Sequence, residues 1–275
     1  MIPVEHNKDE RLQSGYWQDL TTTDFRLVDP EETVALLPVA AVEQHGPHLP
    51  LATDALINEG ILRAALERLR PQKPTLLVLP ALTIGSSLEH VNFAGTLSVE
   101  AETLSAVWMD VGRSVARAGI RKLVLFNTHG GQKSLLDLVA LRLRAELTML
   151  VVRATYFSFG TPSGLFDANE LLHDIHGGEV ETSLLLHLRP DLVRRDELQN
   201  FSGLAQQLAK RNSLLGAEKP IGIGWLSEDL HPAGVSGNAA RADAKRGAEH
   251  LAFLADRLIT LITEVAATPL SILKT

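Results

Sequence analysis

LLPVAAVEQHGPHLPLATDAL, residues 36–56, begins as an unbroken apolar run and ends among carboxylates and imidazoles. A run of strand length that is apolar at odd and even positions alike reads as a strand buried on both faces. It gives way to Glu43 and His45, and nine residues after His45 comes Asp54, where a helical pattern begins. Oxygen and nitrogen donors gathered at a strand's C-terminal end are the mixture that zinc or manganese takes. A polar turn with hydrogen-bonded histidines is the plainer reading of one Glu-x-His. Two further segments share the character, Asn127-Thr-His-Gly-Gly131 and His176-Gly-Gly-Glu-Val-Glu-Thr182, and the three together favour a metal site.

Outward from this stretch, apolar runs rich in Val, Leu and Ile alternate with amphipathic segments of helix length. The spacing predicts strands at 33–41, 75–84, 121–127 and 148–156, and helices at 54–70, 99–118, 134–145, 178–188 and 239–266. Ser98 is the expected N-cap of the second helix, with Glu100 and Glu102 in its first turn. Residues 157–175 read as a loop crossing near the site, and 195–235 show no clear periodicity. The expected architecture is a three-layer α/β/α fold over a mostly parallel sheet, one domain spanning 1–275. In such sheets ligands bind beyond the carboxyl ends of the strands, where Glu43, His45 and His129 fall.

The totals narrow the chemistry. With 33 acidic against 26 basic residues and a net charge of −7, the 275-residue chain carries no footprint for a phosphate backbone. It has no cysteine, so thiolate nucleophiles and thiolate zinc sites are excluded and any metal must be held by His and carboxylate. The first 17 residues are too polar for an export signal. No apolar run approaches the roughly 20 residues of a membrane helix. These features predict a soluble, cytoplasmic protein with no nucleic acid or membrane partner.

The motifs resemble those of the creatininase (creatinine amidohydrolase) family: Glu-x-His-Gly-x-His-Leu-Pro…Asp at Glu43–Asp54, Asn-x-His-Gly-Gly at Asn127–Gly131, and His-x-Gly-Glu-x-Glu-Thr-Ser at His176–Ser183. Weaker matches are Glu89-His90 with Phe93-Ala-Gly-Thr96, and Gly234–Gly237. The resemblance implies a hydrolase of non-peptide C–N bonds with two divalent ions per chain, zinc and/or manganese with iron as a third candidate. Asp54 would bridge them, Glu43 and His129 would hold one ion, and His45 and Glu181 the other. His176 would be the proton shuttle. Glu179 stands beside it in the catalytic set in a supporting role, because residues two apart on a helix cannot share a face. The resemblance also implies a small-molecule substrate and a homo-oligomer, a hexamer built as a trimer of dimers.

Two departures bear on substrate. Creatinine-hydrolysing members carry a carboxylate where this chain has Gly131, and a tryptophan where it has Leu172. The first metal site is therefore expected to be one protein ligand poorer, and creatinine a poor substrate. A cyclic amide or formamide of a polar metabolite is the expected substrate. A cyclic polyol, ketone or lactone, or a non-catalytic metal- or ligand-binding role, is the alternative; His176 favours an enzyme, since a binding module has no need of it. His48 reads equally as structural or functional, and His90 as able to reach substrate. Thr182 is expected to orient a ligand, and Trp225 to be a pocket wall. His6, His173, His187, His231 and His250 read as surface or packing residues, and Trp17 and Trp108 as core.

Overall fold

The computed structural model describes residues 12–69 and 74–274; His6 and the expected helix end at residue 70 lie outside them. Five parallel strands form the main sheet: β1 (Gly15–Tyr16), β2 (Thr33–Val39), β3 (Thr75–Val78), β4 (Lys122–Asn127) and β5 (Leu150–Thr155), in the order β1-β3-β2-β4-β5. Helices α1 (Thr53–Arg68), α2 (Ala101–Arg117) and α3 (Lys133–Leu147) alternate with the strands. After β5 come α4 (Ala168–Leu171), α5 (Glu179–Leu188), β6 (Asn200–Phe201), α6 (Leu204–Arg211), α7 (Ser227–Leu230), β7 (Gly237–Asn238) and α8 (Ala244–Ala267). Strands β6 and β7 form a separate antiparallel pair.

The two-sided apolar character of β2 explains the layers. Val34 and Leu36 face one way, packing with Ile57 and Ile61 of α1, Leu184 of α5 and Leu254 and Leu258 of α8. Ala35, Leu37 and Val39 face the other, with Leu104 and Trp108 of α2 and Val139 and Leu143 of α3. This is the three-layer α/β/α arrangement. Adjacent strands β2 and β4 send their following helices, α1 and α3, to opposite faces. The chain ends therefore part at this point of the sheet and leave a crevice, the topological switch point of an open parallel sheet.

Some details differ from the sequence reading. Strand β3 stops at Val78, after which only an isolated bridge from Leu82 to Val39 continues the pairing. Ser98 does not cap α2; its Oγ accepts the backbone N–H of Ser87 at 2.9 Å, tying the loop before the helix to the loop after β3, and Glu100 takes the N-cap position without a side-chain bond. Within 195–235 the two turns of α6 and the single turn of α7 are helical. Their length is too short for a periodic signal to rise above the surrounding turns.

The carboxyl-terminal helix sets the position of α5, which carries part of the site. Gly247 of α8 lies against the α5 backbone: a Cβ there would overlap the carbonyl oxygen of Ser183 and stand 2.5 Å from its carbon. Gly247→Ala should therefore force the helices apart, at a cost of about 1–3 kcal/mol. A fall in Tm of several degrees in thermal denaturation checks this; an unchanged Tm would show that the two helices are less closely bound than their backbones indicate.

Candidate metal centre

The crevice between β2 and β4 is stapled from below. Asn58 of α1 donates from Nδ2 to the carbonyls of Val39 and Phe126, both at 3.3 Å, fixing the ends of the two strands together. Beyond β2, the Glu43 N–H donates to the carbonyl of Leu51 at 2.9 Å, folding 43–51 back on itself so that Asp54, in the first turn of α1, returns to face Glu43. Gly46 turns the chain there with φ +68°, a conformation that favours glycine. Beyond β4, Asn127 Oδ1 accepts the N–H of His129 at 3.0 Å, and Gln132 donates to the same oxygen at 2.8 Å. That turn presents the His129 ring to the crevice.

Among the described residues four carboxylate–imidazole clusters form, one of them Glu43, His45 and His176, and two of the four share Asp54. Donor atoms of Glu43, Asp54 and His129 lie within 4.8 Å of one another, and so do those of His45, Asp54 and Glu181. His129 Nδ1 is 3.1 Å from Glu43 Oε1 and 3.3 Å from Asp54 Oδ2, while His45 Nε2 is 3.3 Å from Asp54 Oδ1 and 3.8 Å from Glu181 Oε2. Asp54 thus offers one oxygen to each set. All five side chains are buried.

The protonation pattern tests whether cations fit. Backbone carbonyls only accept, so His45, whose Nδ1 is 3.0 Å from the Glu43 carbonyl, carries its proton there; His129, with Nε2 3.0 Å from the Ser86 carbonyl, carries its proton on that nitrogen. The remaining nitrogens then point lone pairs at carboxylate oxygens. His45 Nε2, Glu43 Oε2 and Asp54 Oδ2 are buried without a hydrogen-bond partner among the described residues. Three buried carboxylates facing two imidazole lone pairs are unfavourable unless a positive charge lies between them. Two ligands of one tetrahedral ion with bonds of about 2.1 Å stand roughly 3.4 Å apart, close to the separations found. The residues fit a pair of divalent ions, and hydrogen bonding of each histidine's other nitrogen to a carbonyl is the usual support for a metal-ligating imidazole.

Without a metal, a proton takes the cation's place. Burial opposes charge on His45, but Asp54, Glu181 and Glu43 outweigh it and raise the ring to about 9. His129 is raised likewise by Glu43 and Asp54 against its burial. Burial also disfavours the Asp54 carboxylate, yet His129 and His45 hold it well below the usual range. Burial raises Glu181, which is steadied by Tyr156 O–H at 3.2 Å and the Gly177 N–H at 2.8 Å. Tyr156 was not singled out from sequence, although its place just beyond β5, beside β4, is a strand-end position of the kind that marked His129.

His176 stacks between His45 and His90, ring centroids 4.1 and 4.3 Å away. Its Nε2 lies 2.7 Å from the Gln44 carbonyl and so bears the proton, leaving the Nδ1 lone pair 3.9 Å from Glu43 Oε1. Burial first, then the neighbouring His45, pushes its pKa well below the usual histidine value. It is an uncharged ring at neutral pH. His90 is also at the site: its Nδ1 accepts from Gln44 Nε2 at 2.7 Å, which turns Nε2–H toward Glu43 Oε1 at 3.4 Å.

Glu179 is not brought to the centre. It points from the other side of α5 toward α8, pairing with Arg246 and, at 3.8 Å, with Arg241. The roughly 200° between residues two apart on a helix sends Glu181 inward and Glu179 away. His48 packs against Phe201 and has Nε2 2.9 Å from the Gly177 carbonyl and 3.1 Å from Thr182 Oγ1. Both it and Thr182 hold the turn before α5; neither faces a donor set. His250 lies between Phe166 and Phe253, and Trp17 packs on Phe25.

Above the donor sets opens a cavity of about 880 Å³, with Phe157, Leu171, Leu172, Ile175 and Trp225 as its apolar wall. The irregular segment 157–175 thus borders the site, and Trp225 is a pocket wall. Among the described residues no helix is long and apolar enough to cross a membrane.

The chain belongs to the creatininase family, whose model, creatinine amidohydrolase, matches residues 18–262. It is 34% identical to the mycofactocin precursor peptide peptidase of Mycobacterium ulcerans, over 85% of this chain and 86% of that protein. It is also 34% identical to the creatinine amidohydrolase of Pseudomonas putida, over 68% of this chain and 76% of that one. A solved structure of manganese creatininase, 26% identical, covers 93% of this chain and all of its own with a TM-score of 0.72. The protein is an enzyme, a hydrolase of this family.

Metal binding should displace the protons that His45 and His129 share with their carboxylates. Since the metal-free His45 titrates at about 9, affinity for Zn2+ or Mn2+ should climb as pH rises toward that value. Calorimetric titration in buffers of different ionisation enthalpy should register proton release. Affinity that is flat with pH would contradict protons held by His45 and His129 in the metal-free centre.

Proposed function

We propose that this enzyme hydrolyses a C–N amide bond at a centre of two divalent ions, zinc and/or manganese, held by Glu43, Asp54 and His129 on one side and His45, Asp54 and Glu181 on the other. The observation that carries this reading is the division of Asp54, one oxygen facing each set. Such an ion pair polarises a carbonyl and lowers the pKa of water.

The chain's own residues supply the rest. His176, uncharged and anchored through Nε2–H to the Gln44 carbonyl, holds a lone pair at Nδ1. It can accept a proton there from water and pass it to the leaving nitrogen, the two halves of general base and acid catalysis. The His90 Nε2–H points toward Glu43 Oε1 from 3.4 Å, and hydrogen bonds from Tyr156 and Gly177 hold Glu181.

The amide of a short peptide is the substrate class best supported. A cavity of about 880 Å³ lies toward the upper end of the range for drug-sized ligands, more room than creatinine uses. Its wall has Leu172, 67% exposed, where creatinine-hydrolysing members have an aromatic ring, so a flat ring loses a stacking surface. The relative that acts on a precursor peptide supports the same reading.

Two measurements test this. His176→Ala should keep its metal and fold while losing about 10²–10⁴-fold in kcat; normal turnover by the metal-loaded variant would remove His176 from proton transfer. The metal-loaded enzyme, offered short peptides, formamides, cyclic amides including creatinine, and lactones, should cleave a peptide amide with the highest kcat/KM. Opening of lactones with no amide cleaved would overturn the reaction class, and creatinine as the best substrate would overturn the substrate class.

A further inference from the structure

The missing carboxylate at Gly131 has a counterpart elsewhere in the chain. Glu89 sits in a single helical turn, Leu88–His90, in the loop that follows β3. A Cβ built on Gly131 would fall onto Glu89 Oε1, 2.5 Å from its Cδ and 2.8 Å from Oε2; the three nearest atoms all belong to this one carboxylate. The Glu89 side chain therefore fills the space into which a side chain at position 131 would project. Nothing marks residue 131 as requiring glycine for its backbone, since its φ lies outside the left-handed region. A side chain at 131 would have to displace the Glu89 carboxylate.

The carboxylate also lies beside the donor set nearest Gly131, against the Nε2–H edge of His129 and within donor distance of Glu43. Glu89 Oε1 is 3.5 Å from His129 Nε2 and 3.9 Å from His90 Nε2, and donor atoms of Glu43, Glu89 and His90 lie within 4.8 Å of one another. Its side chain is 15% exposed, at the cavity wall. The loop that carries it is fixed: the Ser86 carbonyl accepts from His129, the Ser87 N–H donates to Ser98 Oγ, and His90 is held by Gln44. A carboxylate on so constrained a turn is held in place before any ligand arrives, which is what a functional group at a metal centre needs.

We propose that Glu89 supplies from the β3 loop the carboxylate that creatinine-hydrolysing members place at the position of Gly131, so that Glu89 and Gly131 are a reciprocal exchange. The Glu43–Asp54–His129 site is then not one carboxylate poorer, as the sequence alone implies; the group has come from a different element. This rests on the two-ion reading above.

The exchange predicts sign epistasis, read by metal binding rather than turnover. Metal-stripped full-length protein is titrated calorimetrically with Mn2+, in parallel with Tm measurements. The parent should take up two ions. Glu89→Gln, which keeps the shape and removes the charge, should weaken one of the two by about 10-fold or more and leave the other unchanged. Gly131→Glu in the parent should lower Tm and weaken the same site, because two carboxylates compete for one space. Glu89→Ala with Gly131→Glu should regain both, binding more tightly than Glu89→Ala alone. If Glu89→Gln titrates as the parent does, Glu89 has no part in the site and the proposal fails while the two-ion reading stands. If the double variant folds and binds no better than Glu89→Ala, the exchange fails. A parent that binds fewer than two ions sinks the reading beneath it, and the proposal with it. Should the double variant not fold, Glu89→Gln decides alone.

Discussion

Everything at this centre depends on one buried carboxylate lying between two imidazoles whose outer nitrogens are already committed. Asp54 could not stay ionised in a dry crevice with Glu43 and Glu181 beside it unless positive charge lay between them. His45 and His129 are oriented by backbone carbonyls so that each turns its available nitrogen to a different oxygen of Asp54. Protons can meet that demand, and divalent ions meet it better, because each contributes two charges and directional bonds to several ligands at once. The electrostatic tension of the metal-free centre is therefore a measure of its preparation for metal.

The fold supplies the constraint that makes this arrangement possible. Parallel strands bring the ends of β2 and β4 side by side, and helices leaving for opposite faces keep the space above them free. Asn58 ties these strand ends together from within α1, the helix that also carries Asp54. Position and chemistry thus share an element: a shift of α1 that spoiled the packing of Ile57 and Ile61 would also move Asp54.

The layered architecture was legible in the sequence because β2, β3 and β4 are apolar on both faces, a pattern with few alternatives once helices intervene. Glu43, His45 and Asp54 were legible because one short segment carries them all, and His129, His176 and Glu181 because each ends or begins an element in a recognisable motif. The rest depends on tertiary paths that no local pattern encodes. That Glu179 meets Arg246 depends on where α8 lies, which no pattern within α5 encodes. Ser98 has the composition of a helix cap but is claimed by Ser87. Gly131 reads as a loss until the β3 loop is seen to carry Glu89 into the same space.

Anomalous X-ray diffraction from crystals loaded with Mn2+ or Zn2+ locates each ion without assuming its ligands. Two peaks about 3.5–4 Å apart are expected, on either side of Asp54, one beside Glu43 and His129 and one beside His45 and Glu181. A single peak, or a pair with Asp54 in contact with only one, would contradict a shared bridging carboxylate.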